Sequence, residues 1–184
     1  MNCIYCHGKL KLVEDALIRQ EIKGEMVEVR SPTYECPKCN RQVLRGKQRN
    51  ELRRRTADAY RRRHGLLTSA QIGECRLMLG LPREQFAVCL RASVVRVRRW
   101  ETWQVQGPDE DRRIRKVTRI RTARLYETAL VKIEKLMDDA KRATDEGDEL
   151  ELLVGLVHEY EERVYRGSFS GPGSTARQDH SDLT

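Results

Sequence analysis

The chain has 184 residues, of which 39% are hydrophobic and only 5% aromatic, so a single large core of the enzyme type is not expected. Charged residues make up 35% of the sequence and leave a net charge of +8 at pH 7. No apolar run approaches the roughly 18 residues that a membrane span needs, and the N-terminus lacks the apolar segment of a signal peptide, so we expect a cytoplasmic protein.

The charge is distributed unevenly along the chain. Residues 41–64 carry 10 basic and 2 acidic side chains, and residues 91–124 carry 11 and 4. The segment between them is balanced, whereas residues 125–184 carry 7 basic and 14 acidic side chains. Two basic blocks around a helical core are typical of a protein that binds a polyanion, although each block could also be a solvated helical face.

Residues 1–44 are predicted to form a zinc ribbon. Two CxxC pairs, Cys3 with Cys6 and Cys36 with Cys39, are separated by 29 residues. Four thiolates complete the tetrahedral shell of one structural Zn²⁺ per chain, which leaves no open position for catalysis and none for His7. A redox dithiol pair is the alternative, but such motifs occur in a βαβ setting that this sequence lacks.

Short segments between the two cysteine pairs alternate in polarity, which predicts β-strands. These segments are Lys9–Val13, Ala16–Ile22 and Met26–Arg30. Lys23-Gly24 is predicted to be a hairpin turn, and Ser31-Pro32 is predicted to end the last strand. Gly8 and Asn40 each follow a cysteine pair and suit the left-handed turn after a ligand.

Residues 45–65 are predicted to be a basic helical linker that ends at Gly65. Side chains spaced by three and four residues give it a narrow apolar stripe, formed by Leu52, Thr56, Ala59, Tyr60 and Arg63. Arginines surround that stripe at Arg53–Arg55 and Arg61–Arg63. Two uses of the arginines remain open: they contact phosphates, or they form a solvated linker.

Residues 66–107 contain three short helical patterns separated by two turns. Pro82 suits the first turn of the second helix, and Ser93 is the N-cap candidate of the third. In the third helix, Val97 and Trp100 are three residues apart and are expected to face the core. The arginines between and beside them then remain exposed.

The same segment resembles the XRE/Cro-type helix-turn-helix. The resemblance is carried by the pattern Thr68…Ile72…Arg76…Leu79-Gly80-Leu81-Pro82…Phe86-Ala87…Leu90…Ser93…Val97-Arg98-Arg99-Trp100-Glu101. With the cysteine ribbon in front of it, the chain over roughly residues 1–105 is similar to the MqsA-type antitoxin family, whose ribbon is the YgiT-type zinc finger. The resemblance implies a five-helix-like DNA-binding domain that dimerises and represses its own promoter. It also implies a ribbon that binds zinc and engages a toxin, usually an RNase of the MqsR type.

Arg96 and Arg99 share one face of the third helix and are the candidates for reading base edges, most naturally guanine. The resemblance places Arg99 at a DNA-contacting arginine of the family. Val95 could contact a thymine methyl group, although it stands where the best-studied pattern carries a base-reading asparagine.

Arg83, Arg91 and Arg98 are expected to meet phosphates rather than bases. Arg91 departs from the helix-turn-helix pattern, which has a glycine at this turn position, and a bulky residue with positive φ costs about 1 kcal/mol there. Leu77, Met78 and Val88 fall on faces that are usually polar in this domain. They are predicted to pack against the linker, the C-terminal helices or a second protomer. The predicted DNA-binding set is Arg83, Ser93, Val95, Arg96, Arg98 and Arg99.

Residues 108–167 are predicted to form an antiparallel helical hairpin, and residues 168–184 a disordered tail. One helix is expected from Asp109 to about Ala143, followed by a turn at Glu146-Gly147-Asp148 and a second helix. The apolar stripe of the hairpin serves either the core or a dimer interface.

The sequence thus predicts a mainly α protein with a small N-terminal β zinc ribbon, a helix-turn-helix domain and a C-terminal hairpin. It lacks a Walker loop, a dinucleotide fingerprint and a nucleophile with a base at a telling spacing, so no enzyme is predicted. The expected function is a zinc-containing, nucleoid-associated repressor and type II antitoxin whose partners are double-stranded DNA, a toxin and a second copy of the chain. The alternatives are a stand-alone regulator of a mobile element or phage, and an interaction adaptor with a degenerate helix-turn-helix.

Overall fold

The computed structural model describes residues 2–138 and 140–168, which form a mainly helical protein with a small antiparallel sheet at the N-terminus. The strands are β1 (Lys11–Ile22), β2 (Glu25–Glu35) and β3 (Gln42–Val43). The helices are α1 (Gly46–Arg63), α2 (Ser69–Met78), α3 (Arg83–Leu90), α4 (Val94–Trp100), α5 (Pro108–Val117), α6 (Ala123–Leu136) and α7 (Asp145–Ser168). None of these helices is long and apolar enough to span a membrane. The predicted disordered tail lies outside the described residues, apart from Ser168 at the end of α7.

The sheet is a long hairpin with a short third strand, in the order β1-β2-β3. β1 and β2 pair antiparallel from Lys11 opposite Glu35 to Ile22 opposite Glu25. The turn between them is Lys23-Gly24, as predicted, and both residues have positive φ angles, 51° and 81°. That combination matches the right-handed twist of the strands and fixes their register.

Two details of the predicted strands are wrong. The two predicted segments before the hairpin turn, Lys9–Val13 and Ala16–Ile22, belong mostly to one strand that contains an irregularity between Val13 and Ala16. The predicted stop at Ser31-Pro32 is absent, since β2 continues to Glu35. Proline is tolerated here because Pro32 lies opposite the irregularity and has no partner in the β1–β2 register, so no ladder hydrogen bond is lost.

Helix α1 is not a linker but a packed element between the sheet and the other helices. On one side, Leu52 packs against a small apolar cluster from the sheet, formed by Ala16, Ile18, Val27 and Val29. On the other side, Ala57, Asp58 and Arg61 are buried. The sequence predicted Arg61 among the exposed arginines of a linker, whereas its side chain is 0% exposed.

Two further arginines of α1 attach it to the start of α7. Arg54 contacts Asp145 at 2.8 Å, and Arg62 contacts Asp148 at 2.6 Å. These contacts join residues about 90 positions apart in the sequence. The first turn of α7 is acidic, which also suits the positive end of the helix dipole.

The main core lies among the helices from α2 to α7. Val97 and Trp100 are buried in it, which confirms the predicted inner face of α4. Helices α6 and α7 pack against each other and against α2, and Met78 of α2 belongs to the same core. Three apolar residues, Leu77, Met78 and Val88, were predicted to pack against other elements, and only Met78 is buried. Leu77 remains 56% exposed and Val88 76% exposed.

The C-terminal hairpin is shorter than predicted because the expected helix from Asp109 to about Ala143 is two helices. The Thr118 hydroxyl donates to the carbonyl of Ile114, and the Thr122 side chain caps the next helix by accepting from the amide of Leu125 at 3.3 Å. Ile120 between them is 1% exposed, so burial of this residue holds the bend. Helix α5 packs on α2 and α3, and α6 with α7 forms the hairpin.

The turn predicted at Glu146-Gly147-Asp148 is instead the first turn of α7. The Thr144 hydroxyl accepts a hydrogen bond from the amide of Gly147 at 3.1 Å, which satisfies one of the free donors at the helix start. The helix therefore begins at Asp145, behind a side-chain cap, and not after the predicted turn that ends at Asp148.

Candidate metal centre and candidate nucleic-acid interface

The four cysteines of the two CxxC pairs lie together at one end of the sheet. Their Sγ atoms are all within 4.8 Å of one another, with Cys3 3.7 Å from Cys39 and Cys6 3.3 Å from Cys36. A tetrahedron with metal–sulfur arms of about 2.3 Å has edges of about 3.8 Å. The spacing fits one ion, and the four residues could bind a metal such as zinc. Among the described residues no other group of ligand-type side chains is so arranged.

The two cysteine pairs form loops with the same hydrogen-bond pattern. The amide of Cys3 donates to the carbonyl of Gly8 at 2.7 Å, and that of Cys36 donates to Arg41 at 3.0 Å. In return, the carbonyls of Cys3 and Cys36 accept from residues four positions later. Each loop therefore directs its two sulfurs to the same side.

The left-handed residue of each loop was predicted correctly once and wrongly once. Asn40 has φ 52°, as expected, but in the first loop His7 takes this conformation with φ 58° instead of Gly8. Gly8 serves close packing: a Cβ atom there would lie 3.0 Å from the Cβ of Lys38 and 3.1 Å from the sulfur of Cys36. Gly8 is thus needed in this loop because there is no space for a side chain, and not because of a left-handed backbone conformation.

Sharing of protons among the thiols separates their pKa values. Burial raises the pKa of Cys36, but hydrogen bonding with Cys6 and the amides of Cys39 and Lys38 lowers it to about 7. The amide of Arg41 lowers the pKa of Cys39, yet burial and the three neighbouring thiols outweigh it and raise the pKa to about 12. A bound cation would favour the thiolate form of all four.

Helix α4 presents the predicted DNA-binding side chains on the protein surface. Ser93 caps the helix, since its hydroxyl accepts from the amide of Arg96 at 3.3 Å. Val95 is 57% exposed, and Arg96, Arg98 and Arg99 are exposed as well. The buried Val97 and Trp100 hold the opposite side of the helix in the core.

Arg83, at the start of α3, is attached to the end of α4. Its Nε and the Nε of Arg76 both donate to the carboxylate of Glu101, which is 5% exposed. Glu101 is thus a structural residue that joins three helices. Arg83 lies on the predicted DNA-binding surface, but its Nε is already hydrogen-bonded to Glu101.

Arg96 and Arg99, the predicted base-reading pair, differ in their surroundings. Arg96 contacts Glu110 of α5 at 2.7 Å, and its guanidinium lies 5.3 Å from the centre of the Trp100 ring. Within residues 2–138 and 140–168, no acidic partner is found for Arg98 or Arg99. Arg99 is therefore available to a ligand, whereas Arg96 must first leave Glu110.

The sequence missed the support that α1 gives to α4. Arg61 donates to the carbonyls of Trp100 at 2.7 Å and Gln104 at 2.8 Å, so it binds the C-terminal end of α4. It also contacts Asp58 at 2.6 Å and donates to the Gln106 side chain at 2.9 Å. Asp58, one of only two acidic residues in the first basic block, was the feature of the sequence that could have indicated a buried partner for an arginine.

Arg91 ends α3 with the backbone conformation that the sequence made questionable, φ 52° and ψ 45°. We expect Arg91→Gly to raise the free energy of unfolding by about 0.5–1 kcal/mol, because glycine adopts this conformation without the Cβ clash. The gain is smaller than the full strain because glycine also makes the unfolded chain more flexible. Urea denaturation followed by circular dichroism measures it. Ala92→Gly, one residue away and outside the left-handed region, is the control and should destabilise the protein. A lower free energy of unfolding for Arg91→Gly would show that Arg91 is not strained.

Comparison with protein families, curated proteins and solved structures finds no match for this chain.

Proposed function

We propose that this chain is a sequence-specific DNA-binding repressor of the XRE helix-turn-helix type, with α4 as the helix that enters the major groove. One observation carries the proposal: the buried Val97 and Trp100 hold α4 in place while its outer face presents exposed arginines and Val95. A short, rigid helix with an exposed cationic face is the arrangement that reads base edges.

The residues on this face have different roles in the proposed complex. Arg99, which has no acidic partner in the described chain, can donate two hydrogen bonds to the O6 and N7 atoms of guanine. Val95 offers an apolar contact for a thymine methyl group. Arg98 and Arg91 bind phosphates and set the register of the protein on the duplex.

Glu110 gives Arg96 a second role, that of a discriminator. In the free protein it neutralises Arg96 through the 2.7 Å contact. On DNA, Arg96 exchanges this carboxylate for a base edge or a phosphate, and the exchange weakens the net gain from Arg96 relative to Arg99. The carboxylate also repels DNA when Arg96 finds no acceptor.

The metal in this proposal is one structural Zn²⁺ per chain, held by Cys3, Cys6, Cys36 and Cys39. Four thiolates in a tetrahedral set suit Zn²⁺ and leave no ligand position for a substrate. The ion would close the end of the ribbon that the β1–β2 ladder does not reach. The ion would contribute a cross-link between the loop of Cys3 and Cys6 and the loop of Cys36 and Cys39.

We further propose an antitoxin that acts as a homodimer on a palindromic site in its own promoter. Half-sites would then lie about 34 Å apart, or a multiple of that distance. The exposed Leu77 and Val88 are candidates for the dimer contact. A toxin partner separates this role from that of a stand-alone regulator, and co-purification with the product of the adjacent gene is the observation that decides between them.

The DNA-binding proposal predicts distinct effects for two neighbouring arginines. Arg99→Ala should weaken binding to the chain's own upstream DNA by about 1–3 kcal/mol and relax preference at one base pair. Arg98→Ala should weaken binding to all sequences alike and reduce the salt slope by about 1. Fluorescence anisotropy with specific and scrambled duplexes at physiological salt measures both.

Lys135→Ala, an exposed residue on α6, is the matched control and should change neither quantity. If the wild-type chain does not select its upstream DNA, the repressor proposal fails and the adaptor hypothesis is favoured. If Arg99→Ala keeps full affinity and base preference, α4 is not the reading helix.

A further inference from the structure

The arginines at the surface of α1, together with its N-cap residue Arg45, include two groups with different surroundings. Three half-buried arginines, Arg54 and Arg62 beside α7 and Arg55 beside β2, are all neutralised. Their partners are Glu51, Asp145 and Asp148, at distances of 2.6–3.0 Å. These arginines serve the fold.

The second group is Arg45, Arg49 and Arg53, which we call the α1 ridge. They follow one another at intervals of four residues, so the ridge is about 12 Å long at 1.5 Å per residue. All three are exposed, and none has an acidic partner within the described part of the chain. Because no acidic side chain of residues 2–138 and 140–168 compensates this charge, the ridge is a surface for an anion.

Aromatic rings support both ends of the ridge. The guanidinium of Arg53 lies 5.2 Å from the centre of the Trp103 ring, and that of Arg45 lies 5.9 Å from the centre of the Tyr34 ring. A guanidinium on a ring face keeps its outward N–H groups available to an acceptor. The rings therefore orient the two arginines without neutralising them.

The Arg53 end of the ridge lies next to the C-terminal end of α4. The amide of Trp103 donates to the carbonyl of Arg99 at 2.9 Å, so the ring beneath Arg53 directly follows the proposed reading helix. Arg61 fixes α1 to the same end through the carbonyl of Trp100. The α1 ridge and the arginines of α4 are thus joined through the C-terminal end of α4.

We infer that the α1 ridge binds the phosphodiester backbone of the DNA that flanks the bases read by α4. This inference rests on the proposed function and extends its footprint to α1. Consecutive phosphates of one strand rise 3.4 Å along the duplex axis and also turn around it, so they lie roughly 7 Å apart and a 12 Å ridge matches about three of them. Phosphate contacts raise affinity and salt dependence but carry no sequence information.

The test compares the full-length, zinc-loaded chain with its Arg45→Gln, Arg49→Gln, Arg53→Gln triple variant. Anisotropy titrations use the upstream duplex and a scrambled one at 50–200 mM salt. We expect the slope of log K against log salt to become shallower by about 2–3, at about 0.9 per phosphate, and binding to weaken about 10- to 100-fold. The ratio of specific to scrambled affinity should stay unchanged. Shortening the flanks should weaken wild-type binding and leave the variant unaffected.

A matched control carries the same change of charge on another surface: Lys135→Gln, Lys141→Gln and Arg142→Gln on α6 and the segment after it. It should keep the wild-type slope. Arg49→Gln alone, at an exposed position, keeps the test valid should the triple variant not fold, and its slope should fall by about 0.9. An unchanged slope in the ridge variants, or an equal loss in the control, overturns the inference while the repressor proposal stands. A wild-type chain without preference for its upstream DNA overturns both.

Discussion

Replacing Arg61 by methionine is expected to lower the free energy of unfolding by about 3–5 kcal/mol. Arg61 is fully buried, and its removal leaves the buried Asp58 carboxylate with only the more distant Arg54 guanidinium, 3.8 Å away, as a counter-charge. Burial lowers the pKa of Arg61 and Asp58 raises it, so the group depends on this partner. The carbonyls of Trp100 and Gln104 also lose their donor.

Urea denaturation followed by circular dichroism measures this change. Arg55→Met is the matched control, since Arg55 lies on the same helix but is 41% exposed and pairs with Glu51 at the surface. The control should lose at most about 1 kcal/mol. Adding Asp58→Asn to Arg61→Met should recover part of the loss, because the amide keeps hydrogen-bonding capacity without the buried charge. A loss below 1 kcal/mol for Arg61→Met would show that the network does not stabilise the fold.

Removing the proposed zinc is expected to unfold the ribbon while the helices from α2 to α7 remain folded. Binding of structural zinc contributes on the order of 10–16 kcal/mol in small metal-dependent domains, far more than the small cluster around Leu52 can replace. Among the described residues, the main core contains no side chain from the ribbon, so its packing does not depend on the metal. Native mass spectrometry should find one zinc per chain, and acid should release it because protons compete for the thiolates.

Hydrogen exchange locates the effect of metal loss. In Cys36→Ser, protection should fall across residues 2–44 and in the part of α1 around Leu52, and persist in α2 and α7. Cys89→Ser is the control, because Cys89 is exposed and outside the cluster. It should retain zinc and protection. A ribbon that stays protected without metal would contradict the structural role of the ion.

The features predicted correctly from the sequence depend on neighbours within a few residues. The CxxC pairs indicated the cluster of four cysteines, Lys23-Gly24 the hairpin turn, and the spacing of Val97 and Trp100 the inner face of α4. In each case the chemistry that decides the structure is local: a ligand spacing, a positive φ or a helical period. Such signals are readable without knowledge of the fold.

The features that the sequence missed depend on partners far along the chain. Arg61 is buried because carbonyls about 40 residues away accept hydrogen bonds from its guanidinium. Glu110, 14 residues from Arg96, changes the chemistry of a residue predicted to read bases. The bend before α6 follows from burial of Ile120, an apolar residue that also fits a continuous helical stripe. Periodicity alone cannot distinguish these outcomes.

The shared position of α1 limits how this chain could have been assembled from older parts. Leu52 completes the small core of the ribbon, and Ala57 and Arg61 are buried on the side of the helices. A recombination joint placed before Gly46 would deprive the ribbon of Leu52, and a joint after Arg63 would deprive the helices of Arg61. We therefore expect exchange of either part between proteins to carry α1 with it and to require a compatible partner surface on the other side.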